Sequence, residues 1–143
     1  MADLVRERLA PVSTYRDRQY VGTYEQREEQ LLKTQTVYVG NLSVYTTEEQ
    51  IYQVFGMAGE VKRVVMGLDR FKLTPCGFCF VEFMSREGAE YAVELLNRST
   101  LDDQIIKVDF DVGFQEGRQW GRGISGGQRA QDRQEKRVAR KYR

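Results

Sequence analysis

The sequence predicts an α+β fold of ferredoxin-like β-α-β-β-α-β order, with an extension at each end. Three observations predict it. Residues 36–112 switch repeatedly between strand-like runs of Val, Ile, Phe and Tyr and helix-like amphipathic runs. Two polar signals, around Thr46 and at Ser85, mark where helices begin. The segments on either side, 1–35 and 113–143, lack this alternation. The chain therefore divides into an N-terminal extension (1–35), a compact domain (36–112) and a Gly/Arg-rich C-terminal tail (113–143).

In the extension, the polar run from Glu25 to Lys33 reads as a single helix. Thr36 to Asn41, rich in Val and Tyr, reads as the first strand. Thr46-Thr-Glu-Glu49 has the spacing of a capping box, in which a hydroxyl and a carboxylate three residues apart satisfy each other's backbone N–H groups. A helix beginning there turns Ile51, Val54 and Phe55 inward and stops at Gly59. Val61 to Met66 reads as the second strand, Asp69 to Pro75 as a loop carrying Arg70 and Lys72, and Gly77 to Met84 as the third strand. Ser85 caps a second helix with Ala89, Ala92, Val93 and Leu96 facing inward. Residues 97–104 turn the chain into a fourth strand, Ile105 to Phe110.

Composition narrows the function. The chain has 143 residues and no histidine, which removes the commonest general base and the commonest metal ligand. No apolar run approaches the roughly 18 residues of a membrane helix, and Met1 to Pro11 has no apolar core of a secretory signal. Cys76 and Cys79 are the only cysteines, and residues three apart on a strand point to opposite faces. No metal site, cofactor, membrane partner or catalytic constellation is expected. Charge is uneven. Residues 36–112 hold seven basic and twelve acidic side chains, whereas 113–143 hold nine basic and three acidic. An acidic domain with a basic tail points the tail at an anion.

The strand Cys76-Gly-Phe-Cys-Phe-Val-Glu-Phe83 fits the RNA-binding pattern K/R-G-F/Y-G/A-F-V-x-F/Y, departing from it at Cys76 and Cys79. Its usual companion is Val37-Tyr-Val-Gly-Asn-Leu42 on the first strand. Strand alternation places Phe78 and Phe80 on one face, and Cys79, Val81 and Phe83 on the other, against the helices. Tyr38 joins Phe78 and Phe80, and three aromatics on an open sheet face suit base stacking. On the fourth strand Lys107, Asp109 and Asp111 share a parity and are expected beside them. Carboxylates repel phosphate but accept the N1–H and N2–H donors of guanine. A 7-methylguanine adds a positive charge that strengthens stacking on electron-rich rings. In the tail, Arg118, Arg122 and Arg129 alternate with glycines, a pattern suited to phosphate.

Beyond these motifs, the segments Tyr15-Arg-Asp17, Tyr45-Thr-Thr-Glu-Glu-Gln-Ile-Tyr52, Met66-Gly-Leu-Asp69, Leu101-Asp-Asp103, Gly113-Phe-Gln-Glu-Gly-Arg-Gln119 and Gly121-Arg-Gly-Ile-Ser-Gly-Gly-Gln128 resemble the small subunits of nuclear cap-binding complexes, which are RNA recognition motif (RRM) proteins. The resemblance covers roughly Tyr15 to Gln128. It implies that a cap guanine is stacked between Tyr15 and Tyr38. It implies that Asp111, the Phe110 backbone and Lys107 read the base, and that Phe78, Phe80 and Asp109 support the pocket or meet the next nucleotide. It implies that Arg118, Arg122, Gln128 and nearby Arg129 hold the triphosphate. It further implies a nuclear, non-enzymatic heterodimer with a large helical-repeat subunit, acting in splicing, export and processing of capped RNA. Lys107 stands where the family usually has arginine, Phe110 where tryptophan is common, and Arg129-Ala130 where Val-Arg is usual. Two other readings remain: a general single-stranded-RNA binder needing Tyr38, Phe78 and Phe80 but neither Tyr15 nor Asp111, and a protein-interaction RRM whose sheet face is covered.

Overall fold

The computed structural model describes residues 20–128; Tyr15 and Arg129 lie outside them. The elements run α1 (Tyr24–Lys33), β1 (Thr36–Gly40), α2 (Glu48–Phe55), β2 (Val61–Leu68), β3 (Pro75–Phe83), α3 (Arg86–Leu96), β4 (Thr100–Leu101), β5 (Gln104–Ile105) and β6 (Lys107–Asp111). Strands β2, β3, β1 and β6 form one four-stranded sheet in that order, with every neighbouring pair antiparallel. Helices α2 and α3 cover one face. This is the expected β-α-β-β-α-β fold, with the short β4–β5 hairpin inserted before the last strand.

Alternation along the two central strands builds the core. Val37, Val39, Cys79, Val81 and Phe83 point to the helices and, with Ile51, Phe55, Ala89, Ala92, Val93, Ile106 and Val108, form one buried cluster. Phe55 and Phe83 are fully buried, with ring centroids 6.5 Å apart. Helix α1 joins through Leu31, also buried. The Arg86 guanidinium fastens it by donating to the carbonyls of Leu31 (2.9 Å) and Thr34 (2.8 Å) while lying 4.2 Å over the Phe110 ring. Those carbonyls belong to the end of a helix and have no intrahelical donor, so a cation is favoured there.

The helix starts show where local pattern and tertiary context diverge. The capping box of α2 is Thr47 with Gln50, one residue later than the spacing of Thr46 and Glu49 suggests. Thr46 is instead buried, and its hydroxyl donates to Asp102 at 2.6 Å. That bond draws Thr46 out of the capping position and ties the start of α2 to the β4–β5 hairpin. Helix α2 also ends earlier than Gly59, at Phe55, with Gly56 as its cap. Ser85 caps α3 as expected, accepting from the Gly88 N–H. Residues 97–104 are more than a turn. Thr100–Leu101 pairs with Gln104–Ile105 around Asp102 and Asp103, both at positive φ. Ile105 therefore belongs to the hairpin, and the last strand begins at Lys107. Strand β2 runs on to Leu68, and β3 begins already at Pro75.

Replacing Phe83 by Ala removes a fully buried ring between two helices and should destabilise the domain by about 3–5 kcal/mol. Urea unfolding followed by circular dichroism measures it, as a lower midpoint with an unchanged slope.

Candidate nucleic-acid interface

The second face of the sheet carries the candidate site. The antiparallel registers place Val65, Phe80, Tyr38 and Asp109 in one row across β2, β3, β1 and β6. The next row runs Arg63, Glu82, Thr36 and Asp111. Lys107 pairs with Gly40 and is exposed at the far end. Tyr38 lies 5.8 Å from Phe78 and 5.7 Å from Phe80, and those two rings stand edge-to-face at 6.0 Å. Phe78 lies flat over Gly67 of β2, where a Cβ would come within 2.4 Å of the ring. A side chain at Gly67 would lift Phe78 off the sheet.

The expectation of an open aromatic face needs correction. Phe78 is 6% and Phe80 3% exposed, and of the three only Tyr38 is half-buried. The chain's own tail supplies the cover. After β6 it turns back across the sheet, setting the Phe114 ring 5.5 Å from that of Phe80 and the Arg118 guanidinium 4.8 Å above it. Arg63 on β2 lies 5.2 Å over the other aromatic partner, Phe114, and also pairs with Glu82 at 2.8 Å. Phe114 stands in the segment Gly113 to Gln119 that carries the family resemblance, but the motifs give it no role. It lies outside every strand, so period-2 alternation says nothing about it.

Asp111 anchors the crossing. Arg118 Nη1 donates to Asp111 Oδ2 at 2.6 Å and Nη2 to Oδ1 at 2.7 Å, a two-pronged pair, and Nη1 also reaches the Gly113 carbonyl at 2.7 Å. The Gly113 N–H donates a third bond to the carboxylate at 3.0 Å. The two side chains are only 16% and 10% exposed. The Glu29–Lys33 pair on α1, by contrast, is exposed to water and screened by it. Removing one partner of a pair buried like Asp111–Arg118 costs about 3–5 kcal/mol, because a charge is left without its counterion. Asp109 faces Tyr38 across the ladder, and its Oδ1 accepts from the Phe110 N–H at 2.9 Å. Phe110 turns its ring into the helix-side core, so its backbone is what it offers to the sheet face.

Farther along, the tail is stitched to the β2 edge and the β2–β3 loop. Leu68 donates to Gln119 O (2.7 Å) and accepts from the Gly121 N–H (2.8 Å). The Arg70 side chain donates to the carbonyls of Gly121 (2.9 Å) and Ile124 (3.3 Å), and its N–H to Gly126 O (3.0 Å). Gly126, at φ +101°, sits so close to Asp69 that a Cβ would lie 2.6 Å from its carboxylate. Asp69 itself accepts from the N–H groups of Lys72 and Phe71, and these bonds hold its carboxyl below the ordinary range. Gln128 closes the path: its Nε2 donates to Cys76 O at 2.8 Å, and its Oε1 accepts from the Tyr38 hydroxyl at 3.2 Å. Arg122 lies half-buried on the same arm. The structure thus gathers Tyr38, Phe78, Phe80, Asp109, Asp111, Arg118 and Gln128 on one face.

Cys76 and Cys79 fall on opposite faces, Cys76 beside Phe78 and Phe80, and Cys79 in the helix-side core. Among the described residues no group of three or more His, Cys, Asp or Glu side chains is placed to hold a metal, and no helix is long and apolar enough to cross a membrane.

Comparisons with known proteins show the family of the chain and its fold. A sequence model of the RNA recognition motif family matches residues 37–107. The nuclear cap-binding protein subunit 2 of Caenorhabditis elegans is 56% identical over 117 residues, covering 82% of this chain and 74% of that protein. The Homo sapiens protein of the same name is 56% identical over 117 residues, with coverages of 82% and 75%. The Oryza sativa relative is 56% identical over 128 residues, and this chain spans 52% of its length. Among solved structures, the RRM of Rna15 aligns with a TM-score of 0.51 at 28% identity, covering 60% of this chain and 94% of that one. The same domain with bound GU RNA aligns at 0.52 and 27% identity, with coverages of 59% and 89%.

Burial, together with the nearby Asp69 charge, pushes the Cys76 thiol up to about 11, and burial pushes Cys79 higher still. A raised thiol pKa keeps the unreactive protonated form in place up to alkaline pH. Both cysteines should therefore resist iodoacetamide at pH 8 in the native chain and react fully in urea, with Cys76 the first to label natively as pH approaches 11. Mass spectrometry of the labelled peptides checks this.

Proposed function

The chain belongs to the nuclear cap-binding protein subunit 2 family of RRM proteins, and from that premise we propose that it binds the 7-methylguanosine cap of RNA as the small subunit of a nuclear cap-binding heterodimer. The observation that carries this reading is the half-exposed Tyr38 ring with the Asp109 carboxylate in register beside it and Asp111 one row on. A generic phosphate-tracking face would place no carboxylates there. A cationic purine stacked on tyrosine, with N–H donors along its edge, suits both groups.

In this reading the cap guanine lies on Tyr38 and Tyr15 closes over it from the N-terminal arm. Cation–π attraction to the methylated base contributes about 2 kcal/mol when water is excluded. Asp111 and the Phe110 backbone accept from the guanine edge, with Asp109 and Lys107 alongside. Phe78 and Phe80 support Tyr38 from beneath and meet the following nucleotide. Arg118, Arg122, Gln128 and Arg129 take the triphosphate. Residues 1–35 and 113–143 then act as two arms around the central domain. The protein is a binding module, not an enzyme. Its large helical-repeat partner docks on the helical side, where Tyr45, Met57 and Leu95 are exposed. The complex works in the nucleus on splicing, export and processing, and shuttles to the cytoplasm with its RNA. The general single-stranded-RNA reading draws on the Rna15 likeness and differs in needing no methyl group.

In competition binding at fixed salt, with the large subunit present, a 7-methylated cap dinucleotide should outcompete its unmethylated counterpart by at least about tenfold, the equivalent of about 1.4 kcal/mol. Tyr15→Ala and Asp111→Asn should each remove that preference. Equal binding of the two ligands would replace the cap reading with ordinary single-strand binding.

A further inference from the structure

We propose that Arg118 is a specificity-determining residue that occupies the guanine-reading carboxylate of Asp111 and must be exchanged for the base. The proposal rests on the cap-binding reading and concerns how Asp111 becomes accessible. In this structure the carboxylate accepts both prongs of the Arg118 guanidinium at 2.6 and 2.7 Å, and a third bond from the Gly113 N–H at 3.0 Å. The N1–C2–N2 unit of guanine is itself a guanidine fragment and presents two parallel N–H donors in the same planar fork. Arg118 and the guanine edge therefore compete for one approach: the end-on side of the carboxylate faces only one planar fork at a time, although each oxygen can take a further lateral donor such as the Gly113 N–H.

The exchange sets a double requirement on the ligand. Displacing Arg118 leaves a buried guanidinium without its counterion unless an anion receives it. A nucleoside supplies the edge that Asp111 needs but no such anion. A polyphosphate without guanine draws Arg118 away but leaves Asp111 buried and unpaired. A guanine nucleotide with a phosphate chain satisfies both groups at once: Asp111 takes the base and Arg118 takes the phosphate. Binding to either half alone is weakened by the fraction of molecules in which the pair is open. Arg118 also lies 4.8 Å over the Phe80 ring, so its departure uncovers one face of that ring for the nucleobase that follows. One side chain thereby couples base reading, phosphate binding and access to the second stacking surface.

The test uses calorimetric titration of the full chain with the large subunit, against 7-methylguanosine, its 5′-triphosphate and inorganic triphosphate. With Arg118→Ala, affinity for the nucleoside should rise by about tenfold, because nothing competes for Asp111, while affinity for the nucleotide should fall by about tenfold. Arg118→Lys keeps the charge but not the fork, so the nucleoside gain should persist and the nucleotide loss should shrink. This variant separates loss of the fork from loss of positive charge beside a cationic base. A wild-type chain that prefers the methylated nucleotide, with nucleoside affinity unchanged or reduced in both variants, would overturn the exchange and leave the cap reading standing. Absence of any methyl preference in the wild-type complex would remove both.

Discussion

Strands β1 and β3 carry apolar side chains on both faces, and the rest of the molecule is arranged to cover them. On one side, Val37, Val39, Cys79, Val81 and Phe83 are buried by α2 and α3 at the cost of ordinary helix packing. On the other, Tyr38, Phe78 and Phe80 belong to a second, smaller cluster to which none of the described helices contributes. An antiparallel sheet commonly packs one face on the core and leaves the other to solvent. The second face is covered by the residues that follow β6, and that covering segment also carries the phosphate-type side chains. Geometry thus forces the tail and the stacking surface into contact.

Apolar contact alone would hold the tail weakly, since Phe114 is its one aromatic on Phe80. Polar chemistry does the rest at three points: the Asp111–Arg118 pair at the start, the Leu68 and Arg70 bonds at the β2 edge, and Gln128 against Cys76 and Tyr38 at the end. These points differ in kind. The Arg70 and Leu68 bonds go to backbone carbonyls and amides at the edge of the sheet. The Asp111–Arg118 and Tyr38–Gln128 bonds use the groups that a capped nucleotide would take up. The described tail is thus held by backbone bonds at the β2 edge and by side-chain bonds at Asp111 and Tyr38.

The electrostatics follow the same division. The domain is acidic and the tail basic, and the largely buried Asp111–Arg118 ion pair joins the two, whereas the Glu29–Lys33 pair within α1 is exposed. A buried pair adds little net stability compared with an apolar replacement, but it is intolerant of losing one member.

Much of this protein was legible in the chain by itself. The order of strands and helices, the split of Tyr38, Phe78 and Phe80 from Val81 and Phe83, and the separation of Cys76 from Cys79 follow from period-2 alternation, which is a property of the backbone. The shared parity of Lys107, Asp109 and Asp111 was readable for the same reason. Tertiary structure decided what alternation cannot reach. Thr46 gives up its capping position because Asp102, distant in sequence, claims its hydroxyl. Residues 97–104 form a hairpin because Asp102 and Asp103 adopt positive φ between two short pairing runs. Phe80 is covered rather than open because Phe114 and Arg118, outside any periodic element, fold back over it. Local sequence sets which way a side chain points from its own strand. Which distant segment arrives to meet it depends on the path of the whole chain, and only the folded molecule decides that.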